Sequence, residues 1–142
     1  MFKNPADSEI REILKKSKNV AVVGLSENRE KDSFRVAEYL RENGYNVIPV
    51  NPTAREIMGL KSYPDLASVP EKVDIVNVFR RSEHLPAVVE EALRIKPGCI
   101  WAQLGVVDER AADLATGEGV PVIMDRCIKN EHKRLFKDKK SL

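Results

Sequence analysis

The loop after the first predicted strand carries the residues whose types and spacing point most directly to chemistry. In the stretch VAVVGLSENREKDSFR, residues 20–35, an apolar run ends at Gly24. The dinucleotide pattern G-x-G-x-x-G would require two further glycines, but the chain has Ser26 and Arg29 at those positions. The loop therefore departs from the NAD-binding fingerprint.

The same loop carries cationic side chains just before a predicted helix. Arg29, Lys31 and, one helical turn later, Arg35 lie beside its N-terminus. Such cations suit phosphate groups, because the free N–H groups and the helix dipole add to their charge. The alternative is that Arg29 and Lys31 only neutralise the acidic residues around them.

The position after the second predicted strand also disfavours NAD. Dinucleotide-binding domains usually place Asp or Glu there, where the carboxylate holds the ribose 2′-hydroxyl. This chain has Asn51 followed by Pro52, and so offers no carboxylate.

The elements that position these residues alternate along the chain. Apolar segments predict five strands, over 19–25, 45–51, 73–79, 99–104 and 120–125. Amphipathic patterns predict helices over 7–16, 33–43, from 82 or 83 to about 94, over 108–116 and 128–136, and an irregular connection over 53–71 contains a helical turn near 54–58. Asp7 and Asp108 are the predicted N-caps.

This alternation predicts the α/β class, as a doubly wound Rossmann-like parallel sheet with helices on both faces. The expected strand order is 3-2-1-4-5. Pro49 conflicts with that order, because it falls in strand two, which would be central, and proline removes a ladder hydrogen bond.

Ligands bind such sheets outside the carboxyl ends of the strands. Polar or charged groups follow every predicted strand: Gly24, Leu25 and Ser26; Asn51, Pro52 and Thr53; Phe79, Arg80 and Arg81; Gln103, Leu104 and Gly105; Asp125, Arg126 and Cys127. Arg80 and Arg81 form a second basic cluster, so a ligand with several phosphates fits this edge better than one with a single carboxylate. The alternative is five ordinary solvated loops.

Composition narrows the class of protein. We expect one domain over 1–142, with an N-terminal helix within 1–17 and a frayed tail over 137–142. A formal net charge of +2 disfavours a general nucleic-acid binder. The sequence contains neither an apolar run of about 18 residues for a membrane span nor the apolar stretch of a signal peptide, so we expect a cytoplasmic protein, as a monomer or weak homodimer.

Several motifs together resemble a known family. VAVVGLS, SFRVAEYLRENGYNVIPVNP, VDIVNVFRR, WAQLGV and MDRCIKNEH are similar to the small single-domain coenzyme A-binding proteins. These resemble the nucleotide-binding domain at the N-terminus of the succinyl-CoA synthetase α subunit. The resemblance covers about 18–134.

The resemblance implies a Rossmann-like domain that holds CoA along the carboxyl edge of the sheet. It places the ligand against residues that follow strands or begin helices, which are Gly24, Leu25, Ser26, Ser33, Phe34, Arg35, Asn51, Pro52, Thr53, Phe79, Arg80, Arg81, Gln103 and Leu104. The chain departs from the synthetase in a longer, glycine-poor first loop and in lacking the domain with the phosphorylated histidine. The ligase reaction therefore does not carry over.

We accordingly predict a protein that binds CoA or an acyl-CoA in a carrier, regulatory or accessory role, with binding favoured over catalysis. Valine at Gly24 is expected to block the ligand and leave the fold intact. Alternatives are an NADP-dependent oxidoreductase or redox sensor, and a protein–protein adaptor without ligand.

The two histidines and two cysteines differ in the reactivity that their positions predict. His84 and His132 are interpreted as structural, and Cys99 as buried and inert. Cys127 is the candidate thiol for a mixed disulfide with CoA, with Arg126 stabilising its thiolate. The alternative is that Cys127 faces inward and Arg126 points to solvent.

Overall fold

A parallel sheet with helices on both faces forms the centre of the computed structural model, which describes residues 2–140 and the side chains of residues 2–136. The elements are α1 (Asp7–Lys16), β1 (Asn19–Val23), α2 (Asp32–Glu42), β2 (Asn46–Val50), β3 (Glu56–Ile57), β4 (Leu60–Lys61), β5 (Ile75–Val78), α3 (Leu85–Arg94), β6 (Cys99–Ala102), α4 (Glu109–Gly117), β7 (Val122–Ile123) and α5 (Ile128–Lys140). Short 3₁₀ segments span Leu66–Ser68 and Ser82–His84. The predicted fold class is confirmed.

The five strands lie in the order β2-β1-β5-β6-β7. A single parallel bridge joins Val50 to Tyr63 on the outer side of β2. With that bridge counted as a reduced third strand, the first five positions follow the Rossmann-like order 3-2-1-4-5, and β7 lies beyond β6 as a sixth. The segment expected in the third position, residues 73–79, instead pairs with β1 as the next strand along, so its expected place at the sheet edge was wrong.

This placement explains Pro49. The residue pairs in register with Val22 of β1, but its carbonyl accepts from the Tyr63 N–H at 3.0 Å on the opposite side of β2. Because the N and O of one strand residue point the same way, the missing N–H of Pro49 faces the outer edge. The ladder with β1 is left intact.

Apolar side chains cover both faces of the sheet. Helices α1, α2 and α5 pack on one face, through residues such as Leu14, Leu40 and Ile128. Helices α3 and α4 pack on the other, through residues such as Val89 and Ala112. The amphipathic patterns predicted these faces. The N-termini of α2 and α5 lie at the same edge of the sheet.

Three local expectations need correction. The helical turn near 54–58 is instead the β3–β4 hairpin, because Met58 and Gly59 both have positive φ, as a tight hairpin turn requires. The N-cap of α1 is Ala6, not Asp7, whose carboxylate binds Arg134. Helix α5 continues to Lys140, so it includes 137–140 of the predicted frayed tail, while 141–142 lie outside the described residues.

The predicted N-cap of α4 is confirmed. The Asp108 carboxylate caps α4 by accepting from the Ala111 N–H at 2.8 Å. Pro86 lies in the first turn of α3, where its missing N–H leaves no helical bond unmade. Within residues 2–140, no helix has the length and apolar character needed to cross a membrane.

Candidate functional site: a cleft at the carboxyl edge

A cleft of about 400 Å³ opens at the carboxyl edge of the sheet, between the starts of α2 and α5. Its position is the one where doubly wound sheets bind ligands, beyond the ends of β5, β6 and β7. Its lining includes Arg35, Phe79, Gln103, Leu104, Cys127 and Lys129. Cations at the helix starts therefore meet an apolar and amide wall at the strand ends.

The strand-end rule found most of this lining, and it missed the contribution of α5. Lys129 and Asn130 in the first turn of α5 also line the cleft. The available signal was the same as for Arg35: a cation in the first turn of a helix that follows a strand.

The β1–α2 loop is held by its own hydroxyl groups. The Ser33 Oγ accepts from the Ser26 N–H at 3.0 Å, and the Ser26 Oγ accepts from the Asn28 N–H at 3.0 Å. Ser33 is buried. Both predicted ligand-binding hydroxyls thus shape the loop, and only Ser26 is partly exposed.

Arg29 turns away from the cleft. Its guanidinium lies 5.8 Å from the centre of the Phe34 ring, and both residues line a separate groove of about 680 Å³ along α2. That groove also contains Glu27, Glu38 and Glu42, so its charge is mixed. Partial neutralisation of Arg29, the alternative that the sequence left open, matches this placement.

Asn51 ties two loops together. Its Nδ2 donates to the Leu25 carbonyl at 3.0 Å, and its Oδ1 accepts from the Thr53 N–H at 2.8 Å and the Ala54 N–H at 3.1 Å. Both ends of the amide are therefore engaged within the protein. Pro52 and Thr53 are exposed beside it.

Gly24 is required by the fold itself. Its φ is +88°, and a Cβ placed there would lie 2.4 Å from the Phe79 carbonyl oxygen. The expectation that valine would spare the fold is therefore wrong, because the clash is with the backbone after β5. The adjacent Leu25 side chain is fully buried and faces the core, not the cleft.

Arg80 and Arg81 form an exposed basic pair after β5. The Arg81 Nη1 lies 3.8 Å from the Glu83 carboxylate, with both side chains mostly in solvent. Lys31, also exposed, precedes α2 as its N-cap residue without a side-chain cap.

The Asp125–Cys127 turn separates its three side chains. Asp125 has φ +59° and accepts from the Gly105 N–H at 2.8 Å, which joins the turns after β6 and β7. The Arg126 Nε lies 3.7 Å from the Glu131 carboxylate, whereas Cys127 is half-buried and lines the cleft. Arg126 thus pairs with a carboxylate, and the expected stabilisation of the Cys127 thiolate by Arg126 has no contact behind it.

A charged network anchors α5 to α1. Arg134 donates to Asp7 through two bonds of 2.8 Å and to the buried Glu131 carboxylate at 3.0 and 2.9 Å. The hydrogen bond from Arg134 lowers the pKa of Asp7. Glu131 is thereby satisfied inside the protein, as a buried carboxylate must be.

The remaining candidate residues have structural surroundings. Burial raises the pKa of the Cys99 thiol to about 12. The His132 Nδ1 lies 2.6 Å from the Tyr39 Oη, and the ring stacks on Phe136. His84 is exposed at the end of a 3₁₀ turn.

A comparison with known families decides the classification of the chain. A family model described as a CoA binding domain matches residues 18–133, most of the chain. This chain is a member of the CoA-binding domain family. The match includes every strand end and helix start that forms the cleft.

Relatives of this CoA-binding domain fall into two groups. The uncharacterized protein YneT of Bacillus subtilis (strain 168) is 47% identical over 131 residues, covering 92% of this chain and 97% of YneT. A solved structure of cell-free ID.343 from Thermus thermophilus is 37% identical with a TM-score of 0.89, covering 93% of this chain and all of that one (100%). These are similar along their whole lengths.

The second group contains large ligases. Acetate–CoA ligase [ADP-forming] II of Archaeoglobus fulgidus is 36% identical over 76 residues, covering 52% of this chain. The matched part makes up 11% of the ligase. Similarity to the ligases thus concerns one segment of a much longer protein.

Proposed function

We propose that this protein binds coenzyme A, or an acyl-CoA, in the carboxyl-edge cleft, and that it serves as a carrier, regulatory or accessory protein. The observation that carries the proposal is the joining of Arg35 and Lys129 to the wall of Phe79 and Leu104 within one cleft. CoA has two matching parts, a set of phosphates and an uncharged arm in which methyl and methylene groups alternate with amides.

The phosphates fit the helix-start side of the cleft. The N-terminus of α2 has no side-chain cap, and Asp32 and Arg35 of its first turn line the cleft, so the positive end of the helix dipole lies at this edge. Arg35 and Lys129 add positive charge there, against the single carboxylate of Asp32 in the lining. The balance favours an anion.

The arm of CoA fits the strand-end side. Phe79, Leu104 and Val106 supply apolar surface, and the Leu104 side chain is 68% exposed, so it is accessible to a ligand in the cleft. Cys127 lines the same cleft, and we place the sulfur end of CoA beside it.

The other predicted residues form an outer ring in this proposal. Arg29, Lys31, Arg80 and Arg81 are exposed around the same edge and attract the ligand through longer-range charge. Asn51, Ser26 and Ser33 act by holding the loops in place.

Calorimetry with CoA and with dephospho-CoA, each at low and high salt, tests this proposal. We expect CoA binding that weakens with added salt, because contacts of Arg and Lys with phosphate are screened. Arg35→Gln and Lys129→Gln should each weaken binding by roughly threefold to tenfold. Arg110→Gln on the exposed face of α4 is the matched control. No heat with CoA at millimolar concentration would overturn the proposal.

Competition with NADPH separates this function from an oxidoreductase. Asn51 is an amide and offers no carboxylate to a ribose diol, and both ends of that amide already bond within the protein. We therefore expect NADPH to displace bound CoA only at large excess. Displacement at equal concentration would favour the NADP-dependent function.

A further inference from the structure

The Gln103 side chain is fixed by two donors at the inner wall of the cleft. It is only 5% exposed, and its Oε1 accepts from the Asn77 Nδ2 at 2.9 Å and from the Ile128 N–H at 3.1 Å. A backbone N–H can only donate. The oxygen end of the Gln103 amide must therefore face Ile128, and the direction of the amide is determined by chemistry.

The burial of the Asn77 side chain lowers the stability of the fold. It is fully buried in the middle of β5, and its Oδ1 has no hydrogen-bond partner. A buried polar atom without a partner is destabilising, so an apolar residue would be the more stable choice in a strand core. The Asn77 Nδ2 instead donates to the Gln103 Oε1 at 2.9 Å and to the Trp101 carbonyl at 3.4 Å.

The consequence lies at the other end of the Gln103 amide. Among residues 2–136, no protein group accepts from its Nε2, and the side chain lines the cleft. Gln103 is thus a side chain more than nine-tenths buried whose amide donor is unpaired at the border of the space proposed for the ligand.

We infer that this donor binds the thioester carbonyl of an acyl-CoA, with Asn77 as its positioning residue. The inference rests on the proposed CoA function. A neutral amide donor beside Phe79 and Leu104 suits a neutral carbonyl oxygen with apolar neighbours, whereas phosphates suit the cations at the other side of the cleft. The protein then distinguishes acyl-CoA from ligands that lack the carbonyl.

The test compares acetyl-CoA with S-ethyl-CoA, a thioether that differs by the loss of the carbonyl oxygen. Wild-type protein should bind acetyl-CoA roughly threefold to tenfold more tightly, the range for one hydrogen bond in a desolvated site. A wild-type ratio near one overturns the inference without any variant.

Variants locate the effect. Gln103→Glu keeps an acceptor for Asn77 and Ile128 but lacks the donor, and Gln103→Met lacks both, so each should bring the ratio close to one. Asn77→Asp cannot donate to the Gln103 Oε1 and should lower the ratio without touching ligand. Asp113→Asn, exposed on α4, is the control, and circular dichroism checks that each variant folds.

The outcomes separate the two proposals. A preserved ratio in the Gln103 variants overturns the inference and leaves CoA binding intact. An equal loss of affinity for CoA, acetyl-CoA and S-ethyl-CoA would assign the donor to an amide carbonyl of the CoA arm and overturn the thioester assignment. Failure of wild-type protein to bind CoA at all would overturn the proposed function instead.

Discussion

Gly24 and Gly44 share a backbone conformation but differ in what surrounds them. Their φ angles are +88° and +91°, and residues with a side chain are strained in this left-handed region. A Cβ at Gly24 would meet the Phe79 carbonyl, whereas at Gly44 it would meet nothing within 4 Å. The pair therefore separates conformational strain from steric exclusion.

We expect Gly44→Ala to cost about 1–2 kcal/mol of unfolding free energy, from the positive φ alone. Gly24→Ala should cost a further 1–3 kcal/mol or so, because the Phe79 backbone must move. Urea unfolding of both variants measures the difference. Equal losses would show that the strand end at Phe79 yields freely.

The two cysteines should differ in reactivity towards CoA disulfide. Burial raises the pKa of Cys99 to about 12, which leaves almost no thiolate at neutral pH, while Cys127 faces the cleft. The Cys127 thiolate attacks one sulfur of the disulfide, forms Cys127–S–S–CoA and releases the other half as CoA thiolate. Peptide mapping by mass spectrometry, with Cys127→Ser as control, should find this adduct. Modification at Cys99, or at neither cysteine, contradicts it.

The sequence predicted those site residues that follow a strand or begin a helix, because ligands of such sheets bind there. Arg35, Phe79, Gln103, Leu104 and Cys127 follow strands or begin a helix, and all line the cleft. The partnership of Asn77 with Gln103 was not predictable, because it joins two strands through side chains and its meaning depends on a third contact from α5.

At the scale of elements, the contact between α1 and α5 depends on pH. The hydrogen bond from Arg134 lowers the pKa of Asp7 from its usual 3.8, so the ionised form is favoured in the folded protein. The stabilisation is therefore present above the unfolded-state pKa of about 3.9 and is lost as pH falls through the lower folded-state value.

We expect wild-type protein to be more stable than Asp7→Asn at pH 7, and the two to converge in acid, below about pH 4. Urea unfolding at several pH values measures this. Glu12→Gln, on the exposed side of the same helix, is the control. A difference that persists unchanged to pH 2 or so would contradict the linkage.

Helices were easier to predict than short strands. The periodicity of α1 and the Asp108 cap of α4 are local signals, and both elements start and end close to their predicted limits. The β3–β4 hairpin has two residues in each strand and a Met58–Gly59 turn, and methionine rarely marks a left-handed position. Its register comes from tertiary contact with β2, which no local pattern carries.

At the scale of the whole molecule, α1 lies outside the family match, which starts at residue 18. Ile10, Ile13 and Leu14 are nearly fully buried in the same cluster as α2 and β1. We therefore propose that α1 belongs to one cooperative unit that includes the CoA-binding domain.

Leu14→Ala should lower the unfolding free energy by about 2–5 kcal/mol, as for other buried leucines. It should also leave one unfolding transition by both fluorescence of Trp101 and circular dichroism. Ser8→Ala, exposed on α1, is the control. A separate early transition that spares Trp101 would show that α1 folds apart.

The bridge between Val50 and Tyr63 has a consequence for concentrated solutions. A bare edge strand offers a row of free N–H and C=O groups on which another chain can grow, and this is one route to aggregation. Here Tyr63 occupies the groups of Pro49 and Asn51, and Pro49 itself has no N–H to offer. The opposite edge, β7, spans only Val122–Ile123. Each border of the sheet thus offers few free groups to a second molecule, and we expect less edge-to-edge growth than for a sheet with long, uncovered edge strands.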